Sequence, residues 1–261
     1  MGNRLALRFL GVGNAKASEL GSACAVLELD DQPALMIDCG PRSLDDYAAQ
    51  YGETPLPPIV LTHLHLDHIG GLEALFYRVF FSQKTLHKLY VPATLISALH
   101  DKLAASPCVL SEGGANYWDA FQLIPVGDHF WLNNLLFEVF TVRHSGYRNA
   151  YGVGLRGAFV YTGDTRPIPE LITHFANADE TIFHDCALGG SPAHTGLDDL
   201  LREYDAPSLN RMVVYHYESA AAAVALEQAG LRVARPGQLF ALKAARMGVR
   251  EAGGATLSRV G

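Results

Sequence analysis

The sequence predicts a layered α/β or α+β fold, and three observations lead to this prediction. Short apolar runs with the composition of buried strands recur along the chain, separated by turn signals. Segments with apolar residues at helical spacing follow groups of strands in both halves. With 261 residues, of which 49% are hydrophobic and 18% charged, the chain can bury a sizeable core. No repeat and no linker divides it, so we expect a single domain over residues 1–261.

The first third of the sequence predicts four short buried strands and two helices. The apolar runs of the strands are separated by turn signals, which suggests a meander. One helix is stopped by Gly52 and Pro55, and the other begins near Gly70-Gly71. The predicted strands lie at 5–10, 23–29, 34–37 and 59–61, and the predicted helices at 41–51 and 72–81.

The rest of the chain continues this alternation. Asn133-Asn134 is a candidate hairpin turn. Residues 106–120 have the composition of a loop, whose Tyr117 and Trp118 either serve recognition or seal the edge of the core. We expect the small, polar tail at 253–261 to be frayed. The predicted strands lie at 86–91, 121–126, 130–132, 135–142, 150–155, 158–161, 180–183 and 211–215, and the predicted helices at 93–105, 170–175, 197–204 and 220–228.

Charge and composition exclude several classes of partner. Twenty Lys and Arg against 27 Asp and Glu give a net charge of −7, so the chain lacks the cationic field that binding to long nucleic acid requires. No apolar run approaches the ~20 residues of a membrane span, so we expect no membrane partner. The chain start lacks the apolar region of a secretion signal, and the four cysteines show no CxxC spacing. We therefore expect a cytoplasmic protein.

The most informative segment is a run of three histidines and one aspartate after the strand predicted at 59–61. It consists of His63, His65, Asp67 and His68, and two glycines follow it. His63 and His65 lie two apart in an extended segment, so their rings point the same way, while Asp67 and His68 can face a second position. One loop can therefore serve two metal sites. The alternative, a histidine-rich surface loop, explains neither the strand before the run nor the glycines after it.

Three further candidate ligands follow predicted strands elsewhere in the chain. They are His144, Asp164 and His216. Ligand-type residues near the ends of three separate strands are the arrangement expected of a site at one edge of a sheet sandwich. Imidazole and carboxylate suit Zn²⁺, with Mn²⁺ or iron as alternatives.

In these residues the sequence resembles the metallo-β-lactamase-fold hydrolases, over nearly the whole chain. The resemblance implies a four-layer αββα sandwich that holds two divalent metal ions. It implies one metal bound by His63, His65 and His144, another bound by Asp67, His68 and His216, and Asp164 bridging both.

The C-terminal half is most similar to the RNase Z and cyclic-nucleotide phosphodiesterase branch of that superfamily. Phe183-His184-Asp185 and Ala193-His194-Thr195 resemble two elements of this branch. The resemblance implies that His194 lies near the scissile phosphate and that Asp185 orients it. A loop histidine that caps the helix at 197–204 is the alternative for His194, and we expect His184 to be a packed histidine.

The departures from RNase Z favour a small substrate. The sequence has no basic tRNA-gripping arm, and residues 14–22 do not form the Pro-x-Lys-x-Arg-Asn-like loop. A looser likeness to the phage anti-Pycsar nucleases, which cleave cyclic mononucleotides and act as homodimers, suggests a homodimer here. Gly11-Val12-Gly13 is not a dinucleotide loop, because the third glycine and the acidic residue are missing.

We therefore expect a dinuclear metal-dependent phosphodiesterase. Its partner would be a small phosphodiester substrate, namely a small nucleotide, with cyclic nucleotides included. Two metal ions about 3.5–4 Å apart lower the pKa of a bridging water to roughly 7 and supply hydroxide as the nucleophile. Asp67 would orient that nucleophile, and His194 would protonate the leaving oxygen. Candidates for base stacking or phosphate contact are Tyr117, Trp118, Tyr147 and Arg148.

Two other functions stay open. The same hydroxide can hydrolyse a carboxylic ester, thioester or lactone, with Tyr161 or Tyr217 as an oxyanion donor. A metal-dependent ligand-binding protein without turnover is the second alternative. His194 favours the phosphodiester, because a poor alkoxide leaving group has more need of a proton donor. Cleavage of β-lactams ranks below these, because no export signal is visible.

Overall fold

Two seven-stranded sheets form the centre of the protein. The computed structural model describes residues 4–82, 85–103, 116–146, 148–176 and 179–243. Most of the expected loop at 106–120 and all of the expected frayed tail at 253–261 lie outside the described residues. No helix in the described part of the chain is long and apolar enough to cross a bilayer.

The N-terminal sheet has the strand order β14-β1-β2-β3-β4-β5-β6. The expected meander holds for β1 to β3, which pair antiparallel, but β4 pairs parallel with β3 after a helical crossover. β14 pairs antiparallel with β1 and completes the sheet at its other edge. The strands are β1 (Leu5–Gly11), β2 (Cys24–Leu29), β3 (Gln32–Ile37), β4 (Ile59–Val60), β5 (His87–Pro92), β6 (Phe121–Val126) and β14 (Leu239–Leu242).

The C-terminal sheet has the order β13-β12-β11-β10-β9-β8-β7. Strands β7 to β10 pair antiparallel, and β10 to β13 pair parallel. Asn133 and Asn134 both have positive φ, 51° and 61°, which is the geometry of a tight hairpin turn. The strands are β7 (His129–Leu132), β8 (Leu135–Thr141), β9 (Tyr151–Leu155), β10 (Phe159–Tyr161), β11 (Thr181–Asp185), β12 (Met212–Tyr215) and β13 (Arg232–Val233).

The helices agree with the sequence prediction except at short elements. The helix expected at 93–105 begins as a 3₁₀ turn over Ala93–Leu95 and is α-helical only afterwards. Two four-residue helices, α2 and α7, were not predicted. The helices are α1 (Ser43–Tyr51), α2 (Leu66–Ile69), α3 (Leu72–Ser82), α4 (Ile96–Leu103), α5 (Pro169–Phe175), α6 (Leu197–Glu203), α7 (Ala206–Leu209) and α8 (Ala220–Gln228).

Aromatic side chains join the two sheets face to face. The ring of Phe9 on β1 lies 6.2 Å from that of Tyr161, 5.5 Å from that of Phe183 and 5.3 Å from that of Tyr215, all on the other sheet. These four side chains are almost completely buried, so the apolar faces of both sheets meet in one core. With helices flanking the sheets, this confirms the αββα sandwich.

Candidate metal centre

Polar side chains collect where strands of both sheets end. His63 follows β4, His144 follows β8, Asp164 follows β10, Asp185 ends β11 and His216 follows β12. Because β10, β11 and β12 are parallel, their carboxyl ends share one edge of the sheet. The strand pattern therefore delivers histidines and carboxylates to a single place.

The histidine-rich loop is held against this edge by a close backbone contact. A Cβ added to Gly40 would lie 1.9 Å from the carbonyl oxygen of Asp67 and 2.4 Å from the Cβ of Ser22. No side chain fits there, so helix α2, which carries Asp67 and His68, packs directly on the backbone after β3.

The structure brings all seven expected metal ligands into two adjoining groups. The ligand atoms of each group lie within 4.8 Å of one another, and Asp164 belongs to both groups. Asp164 Oδ2 is 3.5 Å from His63 Nε2, and its Oδ1 is 3.3 Å from His68 Nε2. The first group is His63, His65, His144 and Asp164, and the second is Asp67, His68, Asp164 and His216.

The polar atoms at the centre of these groups have the properties of metal ligands. Nε2 of His63, His68 and His216 and both carboxylate oxygens of Asp164 are buried without a hydrogen-bond partner among the described residues. Buried polar atoms are normally satisfied, so this convergence of unpaired nitrogens and oxygens requires a reason. An imidazole and carboxylate set of this kind fits Zn²⁺ and related divalent ions.

Charge complementarity among these side chains points the same way. Burial lowers the pKa of His216, but the nearby carboxylates, Asp164 first, outweigh it and raise this pKa to about 10. The pKa of His68 rises well above its usual value for the same reason, with Asp164 and Asp38 as the carboxylates. Burial opposes ionisation of Asp164, yet the surrounding histidines hold its pKa well below the usual range. The carboxylates thus stabilise positive charge at this site, and a divalent ion would provide such charge.

Asp38, directly after β3, holds one histidine of each group and was missed as a site residue by the sequence reasoning. Its Oδ2 accepts hydrogen bonds from His68 Nδ1 at 2.8 Å and from the Thr62 hydroxyl at 2.7 Å. The Thr62 oxygen in turn lies 3.1 Å from His63 Nδ1. Because both Nδ1 atoms donate, the Nε2 atoms of both histidines are the ones left to bind a metal ion. Asp38 is fully buried at φ +63°, and the available signal was an aspartate between a buried strand and a glycine.

A second buried carboxylate, Asp185, contacts both His194 and His216. Its Oδ2 is 2.9 Å from His194 Nδ1 and accepts a hydrogen bond from the backbone of Thr165. Its Oδ1 is 3.3 Å from His216 Nδ1. The structure therefore places His194 beside the two ligand groups, and Asp185 orients its imidazole. His184 is fully buried, with Nε2 2.7 Å from the Tyr204 hydroxyl, as expected of a packed histidine.

A cleft of about 470 Å³ opens over the metal groups. This volume is in the usual range for a small-molecule site. His65, Asp67, Asp164, His194 and His216 contribute to its walls. The remaining lining residues include Asn14, Lys16, Gly189, Ser191 and Glu218.

The expected aromatic contacts are not found at the cleft. Tyr117 is buried and stacks on Phe121, and Trp118 stacks on His100, so the rings of 117 and 118 seal the core. Tyr147 lies outside the described residues.

The two tyrosines considered as oxyanion donors are also engaged elsewhere. The Tyr217 hydroxyl donates to the carbonyl of Ala234, and Tyr161 is fully buried between the sheets. Neither lines the cleft, so neither supports the ester-hydrolase alternative.

Comparison with known proteins identifies a family that matches this chain. A family model described as "Anti-Pycsar protein Apyc1" matches residues 5–240. Proteins of that name are 27% identical over 235 residues in Bacillus phage BSP38, covering 81% of this chain and 88% of the relative, and 32% identical over 204 residues in Saccharibacillus brassicae, covering 75% and 83%.

Solved structures show the fold. A diphosphatase from the PhnP family is similar with a TM-score of 0.73 and 20% identity, covering 93% of this chain and 99% of the other. The metallo-β-lactamase fold protein YhfI from Bacillus subtilis has a TM-score of 0.70 and 14% identity, covering 91% and 99%.

Proposed function

We propose, from the premise that this chain belongs to the anti-Pycsar Apyc1 family, that it is a metal-dependent phosphodiesterase acting on a small cyclic nucleotide. The observation that carries this proposal is the pair of ligand groups sharing Asp164, with His194, bonded to Asp185, beside them on the wall of the cleft. A metal site with a positioned proton donor suits hydrolysis of a phosphodiester.

Two divalent ions, most simply Zn²⁺, would be held by this ligand set, with Mn²⁺ or iron as alternatives. His63, His65 and His144 would hold one ion, and Asp67, His68 and His216 the other, with Asp164 common to both. When bound, such a pair supplies Lewis acidity toward a phosphoryl oxygen and a water of lowered pKa.

The chain's own contribution to bond cleavage is a proton at His194. Its Nδ1 is occupied by Asp185, so Nε2 is the nitrogen left to face a substrate in the cleft. Burial lowers the pKa of His194, but the hydrogen bond and charge of Asp185 outweigh it and raise this pKa above its usual value. The raised pKa favours the protonated imidazole, which can give its proton to the leaving alkoxide. Asp67 lines the cleft, with Oδ2 3.5 Å from His216 Nε2, and would accept a hydrogen bond from the attacking group.

We further propose a homodimer in the cytoplasm. The support for a dimer is an exposed aromatic surface on α3, where Tyr77, Phe80 and Phe81 are 40%, 37% and 62% exposed. The rings of Phe80 and Phe81 lie 5.1 Å apart, so the surface is continuous. Contiguous apolar surface of this kind commonly marks an interface.

The test of the reaction combines metal content with turnover. Purified protein is assayed against cyclic mononucleotides, bis(p-nitrophenyl) phosphate and p-nitrophenyl acetate, and its metals are counted by elemental analysis. We expect about two metal ions per chain and hydrolysis of the phosphodiesters. Activity on the acetate ester alone would contradict the phosphodiesterase, and a metal-loaded protein inert to all substrates would favour a binding protein.

A further inference from the structure

A basic depression lies beside the loops that carry two of the expected metal ligands. It measures about 400 Å³, and three arginines, Arg143, Arg148 and Arg166, contribute to its walls together with His144. Arg143 directly precedes His144, and Arg166 follows Asp164 by two positions. The depression is therefore anchored on the same strand ends as the metal centre, and the proposed reaction gives it no role.

Two of its three guanidinium groups have no carboxylate partner in the described part of the chain. Arg143 pairs with Glu170 at 2.8 Å and donates to the carbonyl of Pro167 at 2.9 Å. Among the residues that the structure describes, Arg148 and Arg166 have no carboxylate within ion-pair distance. In a chain of net charge −7, two uncompensated cations at one depression make a local positive field that attracts anions.

The backbone of Arg148 is held in a strained conformation. Its φ is +58°, which a residue with a Cβ rarely adopts. Its carbonyl accepts hydrogen bonds from the Thr94 hydroxyl at 3.0 Å and from the Tyr151 hydroxyl at 3.1 Å. Strain that neighbouring groups maintain in this way is typical of binding sites. The root of the Arg148 side chain is thus held in place.

The loops that carry Arg143 and Arg166 are also fixed by hydrogen bonds. The backbone N–H of Arg166 donates to the carbonyl of Arg143 at 2.8 Å, and the N–H of Arg143 donates to the Thr165 hydroxyl at 3.1 Å. The two arginine-bearing loops are therefore tied to each other, which limits the ordering cost of a bound ligand.

We propose that this depression binds a phosphate monoester dianion at a second anion site, which borders the metal centre at His144. A guanidinium offers paired N–H donors that match two phosphate oxygens, and two of them facing one depression suit a doubly charged group. Arg143 and Arg166 also line an adjoining depression that reaches Ser191, a residue of the cleft wall.

The test compares phosphate binding in two charge-matched double variants of the metal-loaded protein. Arg148→Gln/Arg166→Gln removes the two uncompensated charges. Arg42→Gln/Arg78→Gln removes two exposed arginines that pair with Asp46 and Asp45 elsewhere. Isothermal titration with inorganic phosphate, AMP and neutral adenosine reports on binding without any turnover, so its failure is independent of the proposed reaction.

We expect the first variant to lose one binding event that the wild type and the control retain, with affinity reduced roughly tenfold for each guanidinium removed. If the binding event disappears for both inorganic phosphate and AMP, the site is supported and free phosphate suffices as its ligand. If it disappears for AMP alone, the site is supported and also recognises the nucleoside. Isotherms equal to those of the wild type, or adenosine binding as tightly as AMP, would overturn the proposal. If the double variant does not fold, the single Arg166→Gln variant serves in its place, and one of the same outcomes must follow.

Discussion

Replacing Asp38 by asparagine should weaken both metal sites at once. The change keeps the size of the side chain but puts an amide nitrogen or a neutral oxygen where His68 Nδ1 and the Thr62 hydroxyl now donate. If His68 then carries its proton on Nε2, that nitrogen is no longer a ligand. Loss of a partner that orients a metal-binding histidine costs about 10- to 100-fold in metal affinity, or about 1.4–2.8 kcal/mol.

Both sites are affected because Asp38 reaches one histidine of each group by a different route. The contact with His68 is direct, whereas that with His63 passes through Thr62. His63 and His68 are fully buried, so water cannot replace the lost acceptor. We therefore expect both stepwise zinc affinities, measured by competition with a chromophoric chelator, to fall by at least tenfold.

The Thr62→Val variant separates the two routes. It removes the hydroxyl that links His63 to Asp38 and leaves the direct bond to His68, so only one zinc affinity should fall. Thr173→Val, which removes an exposed threonine hydroxyl bonded within α5, is the matched control and should change neither. Unchanged affinities in Asp38→Asn, or equal weakening of both sites in Thr62→Val, would refute this account of the two routes.

Three further outcomes are expected. His65→Ala should lose metal and turnover, whereas His194→Ala should keep its metal and lose turnover by about 10²–10⁴-fold; equal metal loss in both, seen by elemental analysis, would contradict these roles. His87 is buried with its pKa lowered to about 4 by that burial, so the unfolded chain takes up the proton first and stability falls as the pH drops from about 6.5 toward 4. His87→Gln should remove up to about 3 kcal/mol of that acid sensitivity in urea titrations, and an unchanged pH dependence would rule this source out. Phe81→Asp should shift light-scattering mass from dimer to monomer, and a wild type that is itself monomeric would dispose of the dimer.

The clustering of the candidate ligand residues could be predicted because their signals are local. Four of them occupy alternate or adjacent positions in one short loop, and the others follow apolar runs that are recognisable as strands. Asp38 gives no comparable signal. Its role depends on a positive φ and on partners 24 and 30 residues away in the sequence, which only the tertiary fold brings together.

The unpredicted elements of the fold have the same origin. β14 is a strand because it pairs with β1 at the opposite end of the chain, and only one of its residues is buried, so no alternating pattern marks it. The rings of Tyr117 and Trp118 face the core because Asn116 and Asp119 cap the 3₁₀ turn that carries them. Loop composition alone could not distinguish that packing from a recognition role.

The distribution of charge connects the metal centre with the size of the substrate. The ligand groups contain two carboxylates, Asp67 and Asp164, and Asp38 and Asp185 lie behind their histidines. Two divalent ions would therefore cancel the acidity of these four carboxylates at this edge of the sandwich. Arg148 and Arg166 would add a positive field beside the cleft. The chain as a whole has a net charge of −7. A ligand with one or two phosphates can lie wholly near the metal ions and these arginines, whereas a long polyanion would also meet surface without a cationic field. Electrostatics thus favours a short substrate before any base is recognised.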